Sequence, residues 1–162
     1  ELNGLQMNEE KIEEYCRIKN GYYLDYIDQL KAEEILPGAK EFLTEAKRQG
    51  YRIALGSASK NSRKILDKLE ITDLFDAIID GTKVSNAKPD PEVFLKGAEE
   101  LNVLPQECVV FEDSVAGILA AKNGAMRSVG VGNDAVRPYC DYYISGFLGM
   151  NPKVIAKKVS GE

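Results

Sequence analysis

Apolar and polar positions change period several times along this chain, and the changes mark out alternating helices and strands. From Asn8 to Leu30 the residues Ile12, Tyr15, Ile18, Tyr22, Tyr26 and Leu30 recur at helical intervals, which predicts one long helix, and Leu36-Pro37-Gly38 punctuates its exit. Ala39 to Gln49 turns Phe42, Leu43 and Ala46 to one face and has Gly50 in the C-terminal capping position, so it reads as an amphipathic helix. Tyr51 to Leu55, Ala77 to Ile79, Val109 to Phe111 and Ser128 to Val131 are short apolar runs and are predicted strands, with Tyr142 to Ile144 as a last short one. Between them, the segment carrying Ile65, Leu66 and Leu69, then Pro91 to Leu101 and Ser114 to Asn123, are predicted helices, while Asn151 to Glu162 fits a helix or partial disorder. Strand and helix in alternation imply an α/β fold: a parallel sheet with right-handed crossovers and helices on both faces.

Ligands of open α/β sheets sit at the C-terminal ends of the strands, and three segments place chemistry there. Val109 to Gly117, V-V-F-E-D-S-V-A-G, is an apolar run that ends in two adjacent carboxylates, Glu112 and Asp113. Two carboxylates suit a hard cation such as Mg2+, whereas a plainer reading makes Asp113 or Ser114 the cap of the next helix and leaves Glu112 in solvent. Ile53 to Asn61, I-A-L-G-S-A-S-K-N, ends in Ser57 and Ser59 ahead of a helix, which offers hydroxyls and free N–H groups to a phosphate, or else forms an ordinary capped turn. Lys88-Pro89-Asp90-Pro91 sets a lysine in a stiff loop, with Asp90-Pro91 as N-cap and first-turn proline of a helix; alone, such a lysine is an ordinary surface residue.

Composition removes several rivals. The chain has 162 residues, 44% of them hydrophobic, and no histidine, which rules out a Ser-His-Asp triad, a Cys-His pair and histidine-ligated zinc within it. Cys16, Cys108 and Cys140 form neither a C-x-x-C pair nor an even framework, which points to a reducing cytoplasm, and Cys108 at the start of a strand reads as core. A net charge of −5 argues against nucleic acid or an anionic membrane as partner, and no apolar run approaches the ~20 residues of a membrane span.

Taken together, Ser57, Lys88 and Glu112-Asp113 resemble three of the four active-site motifs of the haloacid dehalogenase superfamily of phosphate-transferring enzymes. The strings S-A-S-K-N, K-P-D-P-E-V-F and F-E-D-S-V-A-G-I are most similar to the β-phosphoglucomutase branch, over about Asn8 to Gly132. The resemblance implies a Rossmann-like core, here residues 35–162, and the C-terminal part of a helical cap with its hinge, residues 1–34, in which Tyr15, Tyr22, Tyr23 and Tyr26 pack the cap. The family's first motif, a strand ending in D-x-D-G that holds the nucleophile and the general acid/base, has no counterpart. The nearest string, Asp25-Tyr26-Ile27-Asp28, has the wrong spacing and a helical period. That strand lies in the middle of the family's sheet, so its loss would leave two rows of backbone groups unpaired, and the working protein is expected to extend N-terminally beyond Glu1.

By the same resemblance, Asp113 coordinates Mg2+ with Glu112 as second acidic ligand or orienting partner, and Ser57 and Lys88 handle the transferring phosphoryl group. Ser59, Lys60 and Asn61, with Ser57 and Ala58, grip the substrate. The implied function is a Mg2+-dependent mutase interconverting β-glucose 1-phosphate and glucose 6-phosphate through a bisphosphate. The alternatives are a sugar-phosphate or phosphoglycolate-like phosphatase, and an inactive fragment or pseudoenzyme that keeps a metal and phosphate site. The implied partner is a small sugar phosphate, with a monomeric full-length form and self-association open to a truncated one.

Overall fold

The computed structural model describes residues 8–161, so residues 1–7 of the predicted 1–34 unit, Glu162 of the 35–162 unit and any extension before Glu1 lie outside the described residues. Helix α1 runs Glu9–Gln29, with the Asn8 side chain accepting from the Lys11 amide at 3.1 Å as its N-cap. Its only buried residue is Ile27. The tyrosines expected to pack a cap stand exposed instead, Tyr22 at 74% and Tyr26 at 61%. The physical reason is that α1 is fastened to the rest of the described chain at its C-terminal end, where Lys64 pairs with the Asp28 carboxylate at 2.7 Å and Lys68 donates to the Asp28 carbonyl at 2.8 Å.

The remaining elements are α2 (Ala39–Arg48), β1 (Ala54–Gly56), α3 (Ser62–Lys68), β2 (Ala77–Ile79), α4 (Glu92–Leu101), β3 (Val109–Glu112), α5 (Val115–Asn123), β4 (Arg127–Val131), β5 (Tyr142–Ile144) and α6 (Pro152–Ser160). The tail left open by its sequence is therefore helical, capped by Asn151, which accepts from the Lys153 amide at 3.0 Å. The first predicted strand begins three residues later than its apolar run. Ahead of Ala54, the Ile53 amide donates to the Asp76 carboxylate at 2.8 Å rather than to a neighbouring strand.

All strand pairs are parallel, as the alternation predicts, but the sheet comes in two pieces. β1 pairs β2 with Ala54 opposite Ala77 and Gly56 opposite Ile79. β3 pairs β4 with Glu112 opposite Gly130, and β4 pairs β5 with Val129 opposite Tyr142. Among the described residues β1 and β3 make no ladder with one another, and every residue of β1 is only half-buried, whereas β4, flanked on both sides, is buried from Ser128 to Val131.

Period-2 geometry sends successive residues of β3 to opposite layers. Val109 and Phe111 join Phe42 of α2, Val129, Val131, Ile144 and Ile155 of α6, where the rings of Phe42 and Phe111 meet edge-on at 5.3 Å. Val110 joins Ala98 of α4 and Ala121 of α5 on the other side, against Met126 and the half-buried Cys108. Burial, and secondarily the Glu107 charge, push the Cys108 thiol up, which fits an inert core residue. Among the described residues no helix is long and apolar enough to cross a membrane.

Candidate active site

The acidic pair sits where β3 hands over to α5. Ser114 is the N-cap of α5, its hydroxyl oxygen accepting from the Gly117 amide at 3.1 Å, so the capping half of the plainer sequence reading is realised by Ser114. Glu112 is not solvated. Its Oε2 accepts from the Asp113 amide at 2.8 Å and from the Ser114 amide and hydroxyl at 3.2 Å, while its Oε1 takes the ammonium of Lys88. Only 9% of the Glu112 side chain and 20% of the Lys88 side chain are exposed. Burial pushes the Glu112 carboxyl up, but the Lys88 bond and charge, with the two amides, outweigh it and hold the group below the usual carboxylate range.

Asp113 has the opposite balance. The residue stands exposed overall, yet burial of its carboxylate first, then the neighbouring Glu112, raise its pKa. Lys88 bonds Glu112 directly and acts on Asp113 only through its charge, and among the described residues no cation forms an ion pair with the Asp113 carboxylate. The Asp113 peptide is held from the next strand end, where Asn133, just past β4, donates from Nδ2 to the Asp113 carbonyl at 2.8 Å.

Gly117 explains part of the motif that pattern alone left silent. A Cβ at this position would lie 1.9 Å from Glu112 Oε1 and 2.5 Å from its Cγ, so the missing side chain is the space that Glu112 occupies. Gly117→Ala is therefore expected to destabilise the chain by roughly 1–3 kcal/mol through overpacking, although alanine is the better helix former by about 1 kcal/mol. Urea denaturation measures this, and a net gain in stability would refute it.

The hydroxyl loop sits at the end of β1. The Ser57 amide extends the β1–β2 ladder by donating to the Ile79 carbonyl at 2.8 Å. Ser57 Oγ accepts from the Ser59 amide at 3.1 Å, and Ser59 Oγ from the Asn61 amide at 3.2 Å, so each serine pins the next turn of the loop. The Ser59 carbonyl accepts from Ser62 Oγ at 2.7 Å and from the Gly81 amide at 3.1 Å. Gly81 must be glycine for this approach, since a Cβ there would lie 2.1 Å from the Ala58 carbonyl oxygen. Ala58 and Lys60 project into solvent, and α3 begins directly behind them at Ser62.

Lys88, Glu112 and Asp113 are thus brought together by direct bonds, while Ser57, Ala58, Ser59, Lys60 and Asn61 make no hydrogen bond to them among the described residues, and only Gly56, ahead of that loop, is linked to Lys88 through a spacer. That spacer is Phe94 of α4: its ring lies where a Cβ on Gly56 would come within 2.9 Å, and the Lys88 ammonium lies 4.7 Å from the ring centroid. Sequence reasoning missed Phe94, Gly81, Gly117 and Asn133. Gly117 and Phe94 stood within the quoted motifs; nothing in the pattern marks Gly81 or Asn133.

The family model for haloacid dehalogenase-like hydrolases matches residues 3–124. The chain belongs to this family. Among its relatives, the β-phosphoglucomutase of Bacillus subtilis is 43% identical over 125 residues, which are 77% of this chain and 55% of that protein. Hexitol phosphatase B of Escherichia coli is 40% identical over 97 residues, 59% of this haloacid dehalogenase-like chain and 44% of that protein. The crystal structure of β-phosphoglucomutase from Clostridium difficile superposes with a TM-score of 0.88 at 38% identity, covering 96% of this chain and 70% of that one. The chain spans about half the length of the curated relatives it matches. Asp25 and Asp28, the nearest string to the family's aspartate motif, lie on α1, and Asp28 is committed to Lys64.

Proposed function

We propose that this chain supplies the cation, phosphate and substrate grips of a Mg2+-dependent phosphoryl-transfer site for sugar phosphates, and that the reaction interconverts β-glucose 1-phosphate and glucose 6-phosphate. The observation that carries the reading is the state of the acidic pair: Glu112 is spent on Lys88 and three donors, while Asp113 is an exposed residue whose carboxylate has no ion-pair partner among the described residues. A hard cation fits this donor set, because Mg2+ is typically held by one or two carboxylates and leaves its other positions to water and phosphate oxygens. Asp113 would hold it, with Glu112 orienting Asp113 and Lys88 rather than ligating. Bound there, Mg2+ would supply charge neutralisation for a phosphoryl oxygen.

The chain's own residues do the rest of what falls to it. Lys88, fixed by Glu112 and lying over Phe94, would offer its remaining N–H donors to a phosphoryl oxygen from a site with little exposure, its charge shared with the Glu112 carboxylate. The Ser57 hydroxyl accepts from the Ser59 amide and keeps its own O–H to donate to a phosphate oxygen, and the Ser59 and Asn61 amides would join it only by giving up the serine bonds that now occupy them. Lys60 is the exposed cation of that loop and is suited to a non-transferring phosphate, the grip that a mutase needs for its bisphosphate and a phosphatase does not. The 43% identity to the Bacillus subtilis mutase supports this choice over the phosphatase reading.

The test is Lys60→Ala in the full-length protein, assayed on a sugar phosphate and on a simple aryl phosphate. Loss of one charged hydrogen bond, about 1.5–3 kcal/mol, should lower kcat/KM for the sugar phosphate roughly ten- to a hundredfold and leave aryl phosphate hydrolysis nearly unchanged. Equal losses on both substrates would favour a phosphatase.

A further inference from the structure

The loop that delivers Lys88, residues 80–91, has little backbone pairing of its own. The Lys83 amide bonds the Asp80 carbonyl at 3.0 Å, the Gly81 amide reaches Ser59, and the Asp90 amide bonds the Ala87 carbonyl at 3.0 Å. The amides of Ser85 and Asn86, three and two residues before Lys88, are satisfied by a side chain instead. Both donate to Oε2 of Glu92, at 2.9 and 2.7 Å, and Glu92 lies in the first turn of α4. The other oxygen of Glu92 accepts from the Lys96 ammonium at 2.7 Å, which also donates to the Lys83 carbonyl at 2.5 Å. The Glu92 amide is tied to Asp90 Oδ1 at 2.9 Å. On the far side of Lys88, Asn123 of α5 donates to the Pro89 carbonyl at 3.0 Å.

Lys88 is therefore bracketed by two side-chain clamps. An ordinary first-turn glutamate serves the helix by facing its own free N–H groups. Glu92 instead spends its carboxylate on loop positions six and seven residues upstream, and the N-cap of α4 is Pro91 rather than the expected Asp90, whose Oδ1 accepts from the Glu92 amide. The Lys96 bond, then the Asn86 and Ser85 amides, pull its carboxyl down to about 2, so the clamp is charged throughout the ordinary pH range.

We infer that Glu92, braced by Lys96, is a positioning residue for Lys88: it fixes the 80–91 loop so that the Lys88 ammonium meets Glu112 and the face of Phe94. The assignment deepens the phosphoryl-transfer reading and rests on it only for its kinetic consequence. Glu92 touches neither Lys88 nor the acidic pair by any hydrogen bond among the described residues, so its effect passes through the backbone of residues 85–88.

The decisive readout is therefore local to Lys88 and independent of turnover. In heteronuclear NMR of the full chain, the Lys88 side chain should show a ring-current shift from Phe94 and slowed exchange of its ammonium protons from the bond to Glu112. In Glu92→Ala both should collapse towards the values of a free lysine, while the amides of Ser85 and Asn86 lose their protection from exchange. Glu92→Gln keeps one oxygen acceptor for the two amides and should restore most of the Lys88 signature; Lys96→Met approaches the same clamp from its other end and covers the case in which the alanine variant fails to fold. In the full-length protein, kcat should fall by about ten- to a hundredfold with KM little changed. A Lys88 signature unmoved in folded Glu92→Ala or Lys96→Met overturns the assignment. A lost signature in a protein without phosphoryl-transfer activity leaves the positioning role intact and overturns the functional reading instead.

Discussion

Replacing Lys88 with methionine should lower the stability of the chain by about 3 kcal/mol at neutral pH, with the loss shrinking as the pH falls towards 4. Methionine keeps much of the apolar stem over Phe94 but leaves the nearly buried Glu112 carboxylate without its cation. Glu112 retains the Asp113 and Ser114 amides and the Ser114 hydroxyl, which places the cost at the lower end for a broken buried pair. The pH dependence separates this charge effect from lost packing. In the unmodified chain the folded pKa of Glu112 lies below its unfolded value of about 4.3, so its stabilisation is complete above that value and is lost as pH falls through the folded one. Without Lys88, burial dominates and the folded pKa rises above the unfolded one. The variant then takes up a proton on folding, and its stability falls as pH rises through the raised value. Urea denaturation between pH 4 and 8 measures both curves. A gap that stays constant across that range would mean that Lys88 contributes packing alone.

The pairing behind that prediction was only half legible in the sequence. Local period identifies the elements, because a helix face and a strand end are short-range features: the α5 cap at Ser114 and the end of β3 at Glu112 lie where the apolar run predicts. Which side chain meets Glu112 is a tertiary fact. Lys88 arrives from a loop twenty-four positions away, held there by Glu92 and Asn123. Likewise, the helical period of α1 is evident from Ile12 to Leu30, yet period alone does not say what covers the tyrosines, and among the described residues they are exposed. The late start of β1 has the same origin, since an apolar run at Tyr51 to Ile53 is a strand only where a neighbour pairs with it, and Asp76 takes that place. Gly81 and Gly117 show the reverse case: both stood in plain view, but a glycine required for close approach looks the same in sequence as one required for a turn.

Asp113→Asn should abolish stabilisation of the chain by Mg2+ without lowering its stability in the absence of metal. Asparagine preserves the shape of the side chain and removes the charge that would ligate a hard cation. Because burial and Glu112 raise the pKa of Asp113, its ionised form costs folding energy: its contribution is favourable below the unfolded pKa and is lost as pH rises through the folded one. At neutral pH the neutral amide is thus at least as well tolerated as the bare carboxylate, and the cost that Asp113 imposes is one that a bound cation would offset. Thermal unfolding with added Mg2+ and with chelator distinguishes the two proteins, since a ligand that binds only the folded state raises Tm by an amount that grows with the logarithm of its concentration above Kd. The unmodified chain should gain stability with Mg2+, and the Asp113→Asn variant should not. On the proposed phosphoryl-transfer reading, the same substitution should lower that activity by about 10³-fold, the several kcal/mol that a cation contributes against developing charge. An Asp113→Asn variant that still gains stability with Mg2+ would place the cation elsewhere and leave Asp113 as a residue of the β3–α5 turn alone.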